Sequence, residues 1–339
     1  MAWSSGASRR PSSPRTRSSS GPSKKRSEAE PARRNGFPPS LRSNKIPDMT
    51  LDEELLDAAR RGDEARVKDA LARGANVDAT RRYTTSVDRE VLEGTASALM
   101  LAIMNGHDCV AELLIERGAD PDAADELTGR TPLVEAAARG EISVVEALID
   151  GGASLDARDA RAKENAVTAA AAGGHAGIAR QLVEAGAPIE PRAFEEATRR
   201  GKLDLAAFFV DRGLDPDKTE ALEGAATAGR VDVIPWLLAR GVDPRKHGSA
   251  ALLAAASAGQ AEVVELLVAA GVPIDATTSY GWMPLHLAAY NGDTKTVRVL
   301  LALGADPRAD DGTGKTALDW AREAGKAESA RLLEEALRR

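Results

Sequence analysis

The chain has 339 residues, of which 43% are apolar and 29% charged, so it is long enough for two ordinary globular domains. Only 3% of the residues are aromatic, and the burial of a core therefore has to come from Ala, Leu and Val. The single cysteine, Cys109, excludes an internal disulfide framework and a multi-cysteine metal site. We expect neither a membrane span nor a secretory signal, because no apolar run approaches roughly 18 residues and the amino-terminal region has no apolar core.

Charge divides the chain into a basic arm, residues 1–48, and an acidic body, residues 49–339. The arm has 11 basic and 3 acidic residues, a net charge of +8, whereas the body has 34 basic and 49 acidic residues, a net charge of −15. With 12 Ser and 7 Pro, the arm has too little apolar surface to offset the entropy lost on ordering. It is therefore predicted to be disordered.

Three interpretations of the arm are compatible with its composition. The basic clusters Lys24-Lys25-Arg26 and Arg33-Arg34 are typical of a nuclear localisation signal or a nucleic-acid-binding arm. A start that is rich in Ser and Arg is also typical of an organellar transit peptide. In the third interpretation translation begins at Met49, because Thr50 and Glu53 have the spacing of a helix-capping box. Residues 1–48 are then a non-functional upstream extension.

The body is built on two ladders of glycines that are offset by 12 residues. The first ladder is Gly62, Gly106, Gly140, Gly174, Gly201, Gly229, Gly259, Gly292 and Gly325. The second ladder is Gly74, Gly118, Gly152, Gly186, Gly213, Gly241, Gly271 and Gly304. The distance from a second-ladder glycine to the next first-ladder glycine varies from 15 to 32 residues. A rigid unit thus alternates with a loop of variable length, which is typical of repeat proteins.

The rigid unit has the pattern of a short amphipathic helix. In residues 260–271 (QAEVVELLVAAG) apolar side chains recur at i, i+1, i+3 and i+4, which places a broad apolar stripe on one face. The final residue, Gly271, stands where a left-handed carboxy-terminal cap is favoured. A second short helix is predicted before each first-ladder glycine, as in residues 132–139 (PLVEAAAR). Alanine pairs such as Ala136-Ala137 would let the helices approach closely.

These units resemble the ankyrin repeat. The copy with the best match is residues 281–292 (GWMPLHLAAYNG), followed by residues 297–306 (VRVLLALGAD). The resemblance covers residues 51–339 in nine copies. It implies an all-α repeat solenoid of paired antiparallel helices with outward β-hairpin fingers, a scaffold used mainly to bind other proteins.

The repeats depart from the ankyrin pattern in two ways. Only Pro132 and Pro284 keep the proline that starts the first helix, while alanines such as Ala193 and Ala251 take its place elsewhere. The fourth-to-fifth and fifth-to-sixth connections are about six residues short, which predicts truncated fingers in the middle of the array. The first-to-second connection, through residues 81–94, is about ten residues long.

No motif in the sequence argues for catalysis. Residues 312–316 (GTGKT) resemble the end of a phosphate-binding loop, but Ala309 replaces the glycine that this motif requires five residues before Gly314. Three histidines take repeat positions and are predicted to be structural: His107, His175 and His286. We therefore predict no enzymatic activity, no cofactor and no metal site.

The resemblance places the partner-binding surface on the finger tips and on the ends of the first helices, which line a concave groove. Arginines precede the first-ladder glycine in the first, third and fifth repeats: Arg60, Arg61, Arg139, Arg199 and Arg200. Local positive charge favours a partner with an acidic segment, through bidentate contacts between Arg and carboxylates.

The eighth repeat concentrates aromatic side chains at the same positions. Tyr280 and Trp282 belong to its finger, and Tyr290 and Asn291 lie at the groove end of its first helix. Trp and Tyr are enriched among the residues that dominate binding energy in interfaces. Alternatively, Trp282 and Tyr290 pack on neighbouring fingers. Two other tryptophans are expected to face the core: Trp236 and Trp320.

The sequence thus predicts a monomeric, non-enzymatic scaffold or adaptor that binds an unidentified partner protein, without membrane association, in the cytoplasm. The alternative is a nuclear or nucleic-acid-associated regulatory protein that uses the basic arm, and a nuclear or organellar location follows if residues 1–48 are present. The acidic body argues against nucleic-acid binding by the repeats, because phosphate contacts dominate such affinity.

Overall fold

The structure is a computed structural model that describes residues 49–87 and 90–338. The basic arm over residues 1–48 lies outside the described residues. Within them, eighteen α-helices follow one another as nine pairs, and one two-stranded antiparallel sheet separates the first pair from the second. The predicted all-α repeat solenoid is confirmed.

The helices form two rows, one from the first member of each pair and one from the second. The first row is α1 (Leu51–Arg61), α3 (Ala98–Met104), α5 (Pro132–Arg139), α7 (Ala166–Gly173), α9 (Pro191–Arg199), α11 (Ala221–Thr227), α13 (Pro244–Ser257), α15 (Pro284–Asn291) and α17 (Ala317–Glu323). The second row is α2 (Glu64–Ala72), α4 (Asp108–Glu116), α6 (Ile142–Asp150), α8 (Ala176–Glu184), α10 (Leu203–Asp211), α12 (Val233–Ala239), α14 (Ala261–Ala269), α16 (Thr294–Ala302) and α18 (Ala327–Leu337).

Stacking of the first row makes the solenoid continuous. Each helix of this row contacts the next one, from α1 through to α17, and also the second helix of its own pair. The contacts are made largely by alanines that are completely buried, such as Ala136, Ala255 and Ala288. Small side chains let helix axes approach closely, so the low aromatic content follows from this packing.

The cap of the first helix and the glycines of both ladders have the conformations that the sequence predicts. Before α1, the Thr50 hydroxyl accepts a hydrogen bond from the Glu53 amide (3.2 Å) and the Glu53 carboxylate accepts one from the Thr50 amide (2.8 Å). This reciprocal pair is the predicted capping box. Every glycine of both ladders has a positive φ between +68° and +106°, a conformation that other residues adopt only with strain.

A polar side chain closes each compact finger, and it is buried in all of them except that of the eighth pair, where Thr278 is half-buried. The Asp125 carboxylate accepts hydrogen bonds from the amide and the hydroxyl of Thr128 (2.7 and 2.8 Å), and it is only 2% exposed. Asp159 and Asp311 likewise accept hydrogen bonds from backbone amides that follow them by two to four residues, and Thr278 does so through its hydroxyl. Such side-chain acceptors fold the backbone into a tight turn.

The longest finger is the hairpin of β1 (Thr80–Val87) and β2 (Glu90–Ser97), in which Thr80 pairs with Ser97 and Tyr83 with Gly94. Its Tyr83 hydroxyl donates a hydrogen bond of 2.7 Å to Asp125 in the next finger. Burial, together with this bond to a carboxylate, raises the pKa of Tyr83 well above its usual value of 10. The hairpin is thereby fixed to its neighbour.

The fingers between pairs four and five and between pairs five and six are truncated, as predicted, and the connection from α12 to α13 between pairs six and seven is short as well. The connections there hold only a short 3₁₀ turn, Pro216–Lys218, and no described strand. The expectation that alanines start the fifth and seventh first helices is wrong, because α9 begins at Pro191 and α13 at Pro244. With no finger to form, the chain enters these helices two and seven residues earlier than Ala193 and Ala251, at prolines whose fixed φ suits a first helical turn.

Burial in the fifth pair can be tested with two neighbouring phenylalanines of α10. Phe209 is completely buried, whereas Phe208 is half-exposed. We expect Phe209→Ala to lower the free energy of unfolding by about 3–5 kcal/mol, because it removes a large ring and leaves a cavity. The matched variant Phe208→Ala should lose clearly less. Urea unfolding followed by circular dichroism measures the free energy of unfolding of both variants. An equal decrease in the two would contradict the burial of Phe209 in the core.

Candidate protein-binding surface

Three aromatic side chains from the last two pairs form one cluster on the surface. The ring centroid of Trp282 lies 4.5 Å from that of Trp320 and 5.3 Å from that of Tyr290, and the last two are 6.1 Å apart. The rings meet at angles of 46° to 79°, in tilted and edge-to-face arrangements that aromatic pairs favour. We call Trp282, Tyr290 and Trp320 the aromatic cluster.

The cluster is partly open to solvent and is not part of the buried core. Tyr290 is 43% exposed, and Trp282 and Trp320 are half-buried. Trp282 and Tyr290 both contact Trp320, which lies on a helix of the next pair and not on a neighbouring finger, and Tyr290 keeps an open face. Tyr280 is 83% exposed at the finger tip and makes no ring contact among the described aromatic pairs.

The structure corrects the expectation for Trp320. Its indole N–H donates a hydrogen bond of 3.1 Å to the Asp311 carboxylate, which turns the ring toward the finger and the groove rather than toward the core. Trp236 behaves as expected, because it packs against the core with its ring 6.2 Å from that of the buried Phe194. The positions of Trp236 and Trp320 on their helices do not distinguish the two side chains, because the hydrogen-bond acceptor of Trp320 lies nine residues before it, in the finger.

The finger of the eighth pair is positioned by close backbone contact with the next finger. A Cβ atom at Gly281 would lie 2.1 Å from the Asp311 carbonyl oxygen, and Gly281 has a φ of +80°. Only glycine fits this position. The Thr278 hydroxyl accepts a hydrogen bond of 3.1 Å from the Trp282 amide, which fixes the backbone from which the indole projects. The aromatic cluster thus rests on two packed fingers.

Asn291 has a structural bond within the groove. Its side-chain amide donates a hydrogen bond of 2.8 Å to the carbonyl oxygen of Ser257, at the end of α13. The same kind of link joins His107 to the Arg60 carbonyl (3.1 Å) and Arg230 to the Arg199 carbonyl (2.8 Å). These bonds satisfy carbonyl groups at helix ends and connect neighbouring pairs.

The predicted row of arginines is present, but most of its guanidinium groups form ion pairs with nearby carboxylates. Arg60 and Arg61 both pair with Asp57, at 3.3 and 3.0 Å. Asp57 lies three and four residues before them on the same helix, where opposite charges attract.

Arg139 and Arg199 follow the same pattern, whereas Arg200 does not. Arg139 pairs with Glu141 at 2.8 Å and with Glu135 at 3.8 Å, and Arg199 pairs with Glu196 on its own helix. Arg200 is exposed and has no carboxylate within ion-pair distance among the residues that the structure describes.

A depression of about 190 Å³ opens between α9 and α11, in the middle of the first row. Four of its lining side chains are carboxylates, and one is a cation: Glu195, Glu196, Glu220, Glu223 and Arg199. Glu220 and Glu223 are exposed and form no ion pair with any described residue. Sequence analysis missed this acidic depression, although Glu220 and Glu223 flank the start of α11 and their spacing puts them on one helix face.

Comparison with known families assigns the fold to one of them. A model of three consecutive ankyrin repeats matches residues 55–159, 156–278, 222–311 and 252–336. The chain belongs to the ankyrin repeat family. The ARF GTPase-activating protein GIT1 from human and that from mouse are each 46% identical to 55 residues of the chain, a segment that covers 16% of this chain and 7% of the relative.

The nucleotide-loop resemblance resolves into an ankyrin finger. Residues 312–316 follow Asp311, whose carboxylate accepts hydrogen bonds from the Thr313 amide (2.9 Å) and the Lys315 amide (3.3 Å). The backbone N–H groups that would have to receive a phosphate thus already hold an anion of the chain itself. Asp310 and Thr316 pair across the finger in a β-bridge.

Among the histidines predicted to be structural, His107 and His286 form hydrogen bonds with the backbone. His286 is 1% exposed, and its Nδ1 accepts a hydrogen bond of 3.1 Å from the Met283 amide at the start of α15. Burial lowers the pKa of His286 below 6.5. No group of three or more potential metal ligands occurs among residues 49–87 and 90–338. None of the described helices has the length and apolar character that crossing a membrane requires.

The bonds of Asp311 predict how stability responds to pH. Hydrogen bonds, first that from the Thr313 hydroxyl, lower the pKa of Asp311 from 3.8 to about 2. A carboxyl with a depressed pKa stabilises the folded state above its unfolded pKa, and this contribution is lost as the pH falls through the folded value. We expect Asp311→Asn to be less stable than the unmodified chain at neutral pH, with a difference that shrinks between about pH 4 and about pH 2.

Thermal unfolding at a series of pH values measures this difference, and tryptophan fluorescence reports the release of Trp320. The matched control is Asp310→Asn, because Asp310 is the exposed neighbour and accepts one hydrogen bond, from Gly312. A difference between the Asp311 variant and the unmodified chain that stays constant down to about pH 2 would contradict the role of this carboxylate.

Proposed function

We propose that the protein is a non-enzymatic scaffold or adaptor that binds a partner protein through the groove and fingers of its ankyrin solenoid. Ankyrin repeats generally mediate protein–protein interaction, and the matched family is one of interaction modules. The observation that carries the proposal is the open face of Tyr290 in the aromatic cluster, beside the fully projecting Tyr280.

Exposed rings at one place suit an interface. Trp and Tyr bury a large area on binding and have few rotatable bonds, so they lose little conformational entropy. The cluster is also preorganised, because ring–ring contacts and the hydrogen bond from Trp320 to Asp311 already hold it in place. A partner side chain that covers Tyr290 would therefore find a rigid surface, which favours affinity.

The charge of the partner is a separate element of the proposal. The row of Arg60, Arg61, Arg139, Arg199 and Arg200 favours an acidic segment. The ion pairs of every member of this row except Arg200 weaken that expectation, since a partner carboxylate would have to compete for guanidinium groups already engaged. A partner with an acidic segment is therefore the alternative to a partner with a basic one.

The role of the aromatic surface can be tested with a double variant, Tyr280→Ala with Tyr290→Ala. Both side chains are exposed, so the fold should be unchanged by circular dichroism and thermal unfolding. For a partner captured by the full chain and then purified, we expect the affinity to fall about tenfold or more, since central aromatic residues dominate interface energies.

The matched control is Ile142→Ala, because Ile142 is an exposed apolar residue (54%) on the second row, away from the fingers. Its affinity for the same partner should equal that of the unmodified chain. Equal binding by the double variant in calorimetry would remove the aromatic surface from the proposal.

The nuclear or nucleic-acid alternative depends on residues 1–48 and their net charge of +8. It is tested by a chain that begins at Met49. If the arm has this role, its deletion should abolish nuclear accumulation of a fluorescent fusion and binding to a labelled DNA duplex at low salt. Unchanged cytoplasmic location of both forms supports the scaffold, for which we propose a cytoplasmic site of action.

A further inference from the structure

We infer that the groove from the fifth to the ninth pair binds an extended basic segment of a partner protein, whose apolar side chain docks on the aromatic cluster. This inference rests on the proposed function and adds the chemistry, the orientation and the approximate spacing of the bound segment. Its two contact points are the aromatic cluster at one end and the acidic depression between α9 and α11 at the other.

The acidic depression contains carboxylates that form no ion pair with the described residues of the chain. Of its lining residues, Arg199 is engaged by Glu196, and the amide of Glu220 donates to the Glu195 carboxylate at 3.0 Å. Glu220 and Glu223 then face solvent without an ion-pair partner among the described residues. A Lys or Arg of the partner can pair with them without displacing an existing cation.

An acidic segment would gain less from the paired arginines of the row, of which Arg199 lies in this groove and pairs with Glu196. Exposed ion pairs stabilise weakly, so exchanging Asp57 or Glu141 for a partner carboxylate replaces one weak pair with another. The net charge of −15 over the body adds long-range repulsion of an acidic partner and attraction of a basic one.

The aromatic cluster already holds a cation of the chain itself. The Lys315 Nζ lies 4.3 Å from the ring centroid of Trp320, and the same ammonium pairs with Glu323 at 2.7 Å. An aromatic face attracts a cation through its quadrupole, and the adjacent carboxylate strengthens the attraction. This face of Trp320 is therefore occupied, and the open face of Tyr290 is the one that receives the apolar side chain of the partner, while the acidic depression receives its basic residues.

The distance between the two contact points sets the spacing in the partner. The helices α9, α11, α13, α15 and α17 contact one another in sequence, at about 10 Å per stacked helix. The acidic depression is thus about 20–30 Å from Tyr290. An extended chain covers about 3.3 Å per residue, so the basic residues should stand roughly six to nine residues from the apolar anchor. Half-exposed Leu287, one turn before Tyr290 on the same helix, adds apolar surface next to the anchor site.

The inference is tested by selection from a phage-displayed library of random peptides of about 12 residues, long enough to span both contact points, against the full chain. We expect the enriched peptides to combine Lys or Arg with an aromatic or aliphatic anchor at the stated spacing. Enrichment of Asp and Glu would overturn the inference and favour the arginine row. An enriched peptide is then synthesised with a fluorescent label for anisotropy measurements.

Three variants separate the contributions. The triple variant Glu195→Gln, Glu220→Gln and Glu223→Gln keeps each side chain's size and hydrogen-bond acceptor while removing its charge. We expect it to bind the peptide about tenfold more weakly, with a smaller dependence on salt. The control makes the same charge change on the second row, in a depression lined by Glu112, Glu116 and Glu146. Its affinity should stay within about twofold of the unmodified chain, since screened charges on the far face contribute little.

The double variant of Tyr280 and Tyr290 completes the design. Peptides that lose affinity in the double variant but bind the triple variant as tightly as the unmodified chain would leave the proposed function standing and overturn the basic segment. Peptides insensitive to both variants would overturn both proposals, as would a selection that enriches no peptide above background. Loss of affinity in both, with the second-row control unchanged, supports both.

Discussion

Stacking of the first row of helices is the constraint on which the rest of the structure depends. A pair of short helices cannot bury its apolar face alone, so each pair is stable only against its neighbours. Close stacking requires small side chains at the contacts, and alanines such as Ala136 and Ala288 are completely buried there. Hydrogen bonds between pairs, such as that from Asn291 to the Ser257 carbonyl, satisfy helix ends that the stacking would otherwise leave unpaired.

The fingers depend on a second local device, a buried polar acceptor at the start of each turn. Asp125, Asp159 and Asp311 are 2–4% exposed and accept backbone amides of their own fingers. Before the fifth and seventh pairs, where no finger forms, the chain passes directly into helices that begin at Pro191 and Pro244. The shortened connections leave the helix starts of this region open, and Glu220 and Glu223 lie there beside the groove.

Much of this architecture could be predicted from the sequence, because the ladders of glycine report backbone conformation directly. Each ladder glycine has the positive φ that its position predicts, and the short connections correctly predicted truncated fingers. The orientation of Trp320 could not be predicted, since it follows from a hydrogen bond to Asp311 across a finger whose folding is not local to the helix. The charge of the groove could have been predicted, because Asp57, Glu135 and Glu196 lie three or four residues from the arginines on the same helices, and a count of arginines alone ignores them.

The distribution of the few aromatic rings separates structural from exposed ones. Phe194 and Phe209 are completely buried in the fifth pair, and Trp236 packs beside Phe194, in the region where fingers are truncated. In this region the large rings bury apolar surface area, as a full finger does in the other pairs. Pairs eight and nine have complete fingers and alanine-rich helix contacts, so they have no such deficit for Trp282 and Tyr290 to fill. The contacts of Tyr290 with Trp282 and Trp320 link pairs eight and nine through the edges of the rings, and they leave one face of Tyr290 open, which is the face that the proposed partner would cover.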